Sequence, residues 1–438
     1  MTQAGRLRRN PSDPGRRTTD VTTAVVVATI ALLASLPFWL PRVVVALRMW
    51  VFARVNGSEG IAIPGELVDT SRFLELYSHP AANGRSRGAA LSDLFWYWLS
   101  PGPEVHQEHL EPGPRYDQVA HCTRRILTMP SPATDQLASE SVLAALPPET
   151  GLVRLRDLVM PVWAEFYHRV VFDKPATDEV RDLIVGNARD VITALKCCGL
   201  RHMDRRLRLT RHLEDVLDTV PHELPAVLNR REQAFYLQGT FFNTAVVQSS
   251  EATAHLLMTL AADDAMQRAV TDDAVLDHAL EQTMRRYPLF GVAHRITSTD
   301  IPLSAEVAIP AGSVLCFSYP EFHHSGGYIP FGVAANRPCP AWHLAPITIK
   351  AVTRDLVDRY AFATTAAHTR ALPNRGPCLM TPRSGRVERR RLRLGYLWLR
   401  DRWEDVGRSV VQLVLGSYMV WDARRLRLCQ TYFENNAS

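Results

Sequence analysis

What the chain lacks removes several classes of function. In 438 residues there is no Cys/His spacing of the zinc-site kind and no Gly-rich phosphate loop. No internal repeat is visible. The seven cysteines, Cys122, Cys197, Cys198, Cys316, Cys339, Cys378 and Cys429, are odd in number and show no paired spacing. They read as thiols of a reduced, cytoplasmic portion, not as a disulfide framework. The net charge of +5 comes with no nucleic-acid recognition motif, so no nucleic-acid partner is expected.

The positive charge is local. Residues 383–438 contain 12 arginines against 6 acids, net +6, which leaves about −1 for the rest of the chain. The same segment carries Leu392, Leu394, Leu397, Trp398 and Leu399, then Val410 to Leu415 with Tyr418 and Trp421. A basic amphipathic helix with tryptophan suits a membrane surface or a partner enzyme; a solvated helix packed on the main domain has the same pattern. Near the other end, Val21 to Pro41 is a run of 21 residues without a charge, long enough to cross a bilayer. Arg6, Arg8, Arg9, Arg16 and Arg17 precede it, and Arg42, Arg48 and Arg54 follow. The leading basic segment is too long for a cleaved signal peptide, and no small-residue cleavage site follows the run. The run is expected to be a single-pass or monotopic membrane anchor, or else a buried N-terminal helix; Pro37 and Pro41 permit a re-entrant path. The chain thus divides into a basic segment 1–20, an anchor 21–47, a main domain 55–382 and a basic extension 383–438.

Chemistry concentrates on Cys339. It sits on a Gly/Pro-rich loop, Tyr328-Ile-Pro-Phe-Gly-Val-Ala-Ala-Asn-Arg-Pro-Cys339, directly before a helical pattern. Free backbone N–H groups and the dipole at a helix N-terminus stabilise a thiolate. Haem iron is a natural partner for such a sulfur. His106 and His109 suggest a metal pair, but no third ligand accompanies them.

The run Phe331-Gly332, Arg337, Cys339 resembles the haem loop of the cytochrome P450 family, and further stretches follow in the family's order. His121-Cys-Thr-Arg-Arg125 is similar to its His-x-x-x-Arg helix segment. Phe235 to Ala262, mostly apolar and free of proline, resembles the long central helix that crosses the haem. There Glu251 takes the place of the proton-relay acid, Ala252 that of the family threonine, and Thr253 lies one residue beyond. Residues 276–288 resemble the Glu-x-x-Arg helix, with Gln282 at the glutamate and Arg285 at the arginine. Glu281 can pair with Arg285 at i, i+4 instead. His294-Arg295 and Ile309-Pro-Ala-Gly312 follow.

The departures are specific. Phe331 lies eight residues before Cys339, one more than the family's usual spacing. Ala334 or Ala335 replaces the second loop glycine. Only 18 residues separate Gly312 from Phe331, so the meander is short, with Pro320-Glu-Phe322 as its remnant.

The resemblance implies a mainly α fold with small β-sheets (α+β). It implies haem b, its iron bound by Cys339, its propionates held by His121, Arg125, Arg295 and Arg337, and Phe331 beside the ring. Glu251 would deliver protons, with Thr253 or ordered water. The implied reaction inserts one oxygen atom from O2 into a lipophilic small molecule, with electrons from a ferredoxin/reductase-type donor. Cytosolic electrons favour a catalytic domain facing the cytoplasm. The missing glutamate and alcohol leave open a peroxide-driven or redox-neutral haem-thiolate enzyme. They also leave open a non-catalytic helper that docks on a partner enzyme through residues 383–438.

Overall fold

The structure, a computed structural model, describes residues 14–56, 60–147, 150–383 and 389–436. Arg6, Arg8, Arg9 and Arg386 of the basic segments lie outside the described residues. The longer helices are α1 (Pro14–Asn56), α2 (Ala90–Leu99), α3 (Pro114–Leu127), α4 (Ser131–Ala145), α5 (Leu155–Phe172), α6 (Asp178–Leu195) and α7 (Met203–Val216). They continue with α8 (Arg230–Leu237), α9 (Val246–Ala262), α10 (Asp273–Arg286), α11 (Leu344–Arg359), α12 (Arg390–Leu426) and α13 (Leu428–Asn435). Several start where their side chains dictate. Thr177 accepts from the Val180 amide ahead of α6, and Asn229 with Glu232 forms a reciprocal capping box on α8.

The centre of the molecule is a bundle of α4, α5, α9 and α11. From Val246 to Ala261 every residue but Gln248 and Thr259 is buried. A helix that is apolar or small on nearly all sides has no solvent face to offer, so it becomes the core helix. α8 runs into α9 through a π-helical stretch, Gln238–Ala245. The wider turn re-phases the faces of the two helices. On α5, Trp163, Phe166 and Tyr167 are fully buried. Truncating the first to alanine is expected to cost about 3–5 kcal/mol.

Among the described residues, eight short strands complete the fold: β1 (Ile61–Ile63), β2 (Gly151–Arg154), β3 (Val292–Ile296), β4 (Ile301–Pro302), β5 (Ala308–Ile309), β6 (Val314–Ser318), β7 (Tyr360–Ala363) and β8 (Pro377–Pro382). They form the sheets β1-β6-β3, β2-β8-β7 and β4-β5. In the first, β1 runs parallel to β6 and β3 antiparallel, with Arg295 opposite Leu315. A second, smaller core packs on this sheet, where Phe73 stacks on Phe322 at 4.1 Å. The 328–341 loop bridges the two cores. Tyr328, Phe331 and Ala341 pack on the bundle core, while Ile329 and Val333 pack on the sheet core. The loop is therefore fixed from both sides.

The basic extension is the 37-residue helix α12 followed by α13. α13 is tied to α2 by the Cys429 amide, which donates to the Asp93 carboxylate at 2.8 Å. α1 and α12 pack side by side and run the same way: Phe38 meets Trp398 at 6.0 Å, Arg48 donates to Gln412 at 2.5 Å, and Phe52 crowds Gly416. The apolar N-terminal run is a helix long and apolar enough to cross a membrane, by length and composition. Residues 21–34 are exposed throughout, because the packed face of α1 begins only at Pro37.

Candidate functional site

Cys339 sits where the loop turns into α11. Its amide donates to the Phe331 carbonyl at 2.9 Å, closing the loop, and its carbonyl accepts from Trp342 N–H at 3.2 Å. Ala334 and Ala335 are exposed, and the closing bond forms with Phe331 eight residues ahead of Cys339. Gly332 has φ +75°, and a Cβ there would come within 3.4 Å of the Tyr77 hydroxyl. Arg337 holds the same left-handed region at φ 53° without being glycine, which stores backbone strain at the loop. The half-buried Cys339 thiol is pushed up to about 12 by burial, with Glu108 adding to the rise and an N–H donation from Ala341 opposing it. Alone it is a thiol. A metal ion at the sulfur reverses that balance and takes the thiolate.

Buried basic groups surround the loop. Arg337 donates to Leu110 O at 2.5 Å and lies 3.7 Å over the Tyr116 ring. Arg85 donates to Asn336 Oδ1 at 3.0 Å, and Asn336 is itself fixed by Tyr77 O and Ala82 O. Arg295 donates to the Tyr77 hydroxyl at 2.9 Å. Yet Nε and Nη1 of Arg85, Nε of Arg295 and Nδ1 of His109 are buried with no hydrogen-bond partner. Glu108, beside Arg337, has its carboxyl pushed up to about 7 by burial, so near neutral pH it is only partly ionised. Glu111 is engaged with the amides of Ser86 and Arg87. Two buried guanidinium groups, Arg85 and Arg295, keep spare donors and, like Arg337, have no carboxylate at hydrogen-bond distance among the described residues, and such an imbalance is costly. A ring bearing two carboxylates beside a thiolate-bound iron supplies the missing acceptors, so these residues fit haem.

The basic set differs from the expected one. Arg295 and Arg337 belong to it, but His121 and Arg125 do not. Both are exposed on α3, and Arg125 pairs with Glu223 at 2.6 Å. The reason is the phase of α3: Val119, Cys122, Thr123 and Ile126 form its buried face, which turns His121 and Arg125 outward. Arg85 and His109 take part instead. They come from non-periodic segments, so no spacing in the sequence marks them.

On α9, Glu251 is buried. It accepts from Arg156 Nη1 at 2.9 Å and from Lys196 Nζ, with His255 Nε2 at 3.8 Å. Burial pushes the Glu251 carboxyl up, but Lys196, Arg156 and His255 together outweigh it and hold it well below the usual carboxylate range. The His255 ring lies tilted against those of His368 and Tyr287, with centroids 4.3 and 5.1 Å away. Thr253 does not join. Its hydroxyl accepts from the Trp163 indole at 3.1 Å, on the α5 side, because a two-residue step along a helix turns a side chain by about 200°. The expected Glu251–Thr253 pair is therefore not brought together.

Arg285 on α10 has found substitutes for a glutamate at position 282. It donates to Glu281 at 2.9 Å and to Gly327 O at 3.0 Å, and lies 4.4 Å over the Tyr328 ring. It thereby braces the chain just ahead of the cysteine loop. A crevice of about 440 Å³ opens elsewhere, lined by Arg154, Asp157, Arg189, Arg400 and Glu404 among others. None of its lining residues belongs to the cysteine loop, and we assign it no part in the chemistry.

The chain matches no protein-family model and no curated protein sequence. Solved structures do match. A cytochrome P450 from Thermus thermophilus is 16% identical, with a TM-score of 0.57 over 81% of this chain and 96% of that one. A variant of cytochrome P450SP alpha is 14% identical, with a TM-score of 0.60 over 80% and 98%. A retinoic-acid-bound cyanobacterial P450 is 11% identical, with a TM-score of 0.55 over 71% and 87%. The chain has the cytochrome P450 fold, mainly helical with small sheets. At these identities the likeness is one of fold.

Proposed function

We propose that this protein is a membrane-tethered haem-thiolate oxidoreductase of the cytochrome P450 family, with Cys339 as the iron ligand. The observation that carries this is the set of unpartnered donors on Arg85 and Arg295 beside the cysteine loop. Arg85, Arg295 and Arg337 would hold the propionates, and Phe331 and Gly332 would shape the loop under the ring. Bound haem supplies oxygen activation, which the side chains alone lack. The substrate is a lipophilic small molecule, in keeping with the exposed apolar α1. The balanced reaction takes R–H, O2, two electrons and two protons to R–OH and water, the electrons coming from a ferredoxin-type donor.

One observation favours a second reading. Glu251 is clamped between two cations and Thr253 is turned away, so neither is free to pass protons. A peroxide-driven reaction, R–H with H2O2 giving R–OH and water, needs no external electrons. The first test is the carbon-monoxide difference spectrum of the dithionite-reduced protein. A thiolate-type Soret band that Cys339→Ser removes is expected. Folded protein that takes up no haem would refute both readings. Turnover with a ferredoxin system against turnover with peroxide then separates them.

A further inference from the structure

The exposed face of α12 carries one continuous apolar stripe. Leu392, Tyr396, Leu399 and Trp403 recur at i, i+4, i+7 and i+11, and Val410, Val414 and Trp421 prolong the same line. All are exposed, Leu392 at 70% and Trp421 at 59%. At about 1.5 Å per residue, the stripe from Leu392 to Trp421 is about 44 Å long. Arginines flank its first half on both sides, Arg391 and Arg402 on one and Arg393 and Arg400 on the other. Arg391 and Arg393 have no acidic partner among the described residues, whereas Arg400 is held by Glu404. The stripe has a neighbour of the same character. α1 runs alongside in the same direction and exposes Val43, Leu47 and Trp50 over the packed stretch, then Val21 to Leu33 beyond it.

We propose that α12 lies flat on an anionic lipid leaflet, its apolar stripe at the acyl boundary and its arginines among the headgroups. Three features select lipid over a protein partner. α1, packed alongside α12, exposes an apolar surface of its own. Tryptophan, tyrosine and arginine are the residue types that settle at a membrane interface. The flanking charge is of one sign and in part unpaired, as an anionic surface requires. The proposal rests on the membrane-tethered reading above, and it gives the basic extension a role: it fixes how the main domain sits on the bilayer.

The test uses the full chain in vesicles of phosphatidylcholine with phosphatidylglycerol, doped with brominated lipid that quenches nearby tryptophan. Both ends of α12 are expected to be quenched, so Trp403→Phe and Trp421→Phe should each remove part of the quenched emission. Arg391→Glu with Arg393→Glu should reduce that quenching while the chain stays in the membrane through alkaline extraction. Quenched emission unchanged by either tryptophan substitution, in a chain that resists alkali, overturns the flat placement and leaves the anchor standing. Cross-linking of the stripe to a second copy or another protein does the same. Failure to float with vesicles of either lipid overturns the tethered reading itself.

Discussion

Around Cys339, two buried arginines, Arg85 and Arg295, keep donors that no group among the described residues satisfies; around Glu251, two cations clamp one carboxylate at hydrogen-bond distance. Both regions are buried and rich in charge, and both keep an unpaired donor, Arg156 Nε and His255 Nδ1 in the second; the difference is that the second pairs its cations with a carboxylate and the first does not. Under the proposed function, these donors are the ones that the carboxylates of a bound haem would satisfy. The Glu251 carboxylate is held ionised by Lys196, Arg156 and His255 against its burial. On the proposed function, the residues that would hold the ring and those that would feed it protons have therefore diverged separately.

The comparison can be broken most forcefully at Arg156. Arg156→Met removes a buried partner of Glu251 and is expected to destabilise the protein by about 3–5 kcal/mol, measured by denaturant unfolding. A loss close to zero would mean the cluster is solvated and open. Next in size is the other region. Arg85→Met is expected to weaken haem retention by roughly 10–100-fold, the worth of one charge-assisted hydrogen bond, with little change in the fold. Haem transfer to an apo-globin acceptor would measure it.

A smaller effect follows from Glu108. Its folded-state pKa is raised to about 7 from 4.5, chiefly by burial. The sign is that of a raised group: its contribution is full below pH 4.5 and is lost as pH rises through 7. Glu108→Gln should flatten that window and raise stability above pH 7 by on the order of 2 kcal/mol, after discounting for partial exposure. Glu251 has the opposite sign, with its contribution present above pH 4.5 and lost only as pH falls into strong acid. Smallest of all is Arg125→Ala, at the exposed pair with Glu223, which should alter neither haem retention nor melting beyond error. A loss of haem there would return α3 to the site.

Much of the proximal region was legible because it is local in sequence. The spacing of Phe331, Arg337 and Cys339 and the strand holding Arg295 survive any error in tertiary placement. α3 shows where such reading stops. The i, i+4 spacing of His121 and Arg125 puts both on one face but does not say which face is buried. The alternation of Val119, Cys122, Thr123 and Ile126 on the same helix did carry that information. Arg85 was beyond reach, because its segment has no period. The Glu251 clamp was beyond reach too, because Arg156 and Lys196 come from the start of α5 and the end of α6. The missing alcohol after Glu251 was plain in the sequence. The clamp that accompanies it exists only in three dimensions.

The most direct measurement is a haem titration of two variants side by side: Arg295→Met, and the charge-neutral exchange Lys196→Met with Glu251→Gln. Haem affinity should fall at least tenfold in the first, by the loss of a charge-assisted bond, and stay within about twofold of the parent in the second. Equal losses in both, or a loss confined to the second, would contradict the assignment of the open arginines to the cofactor and of the Glu251 cluster to the fold.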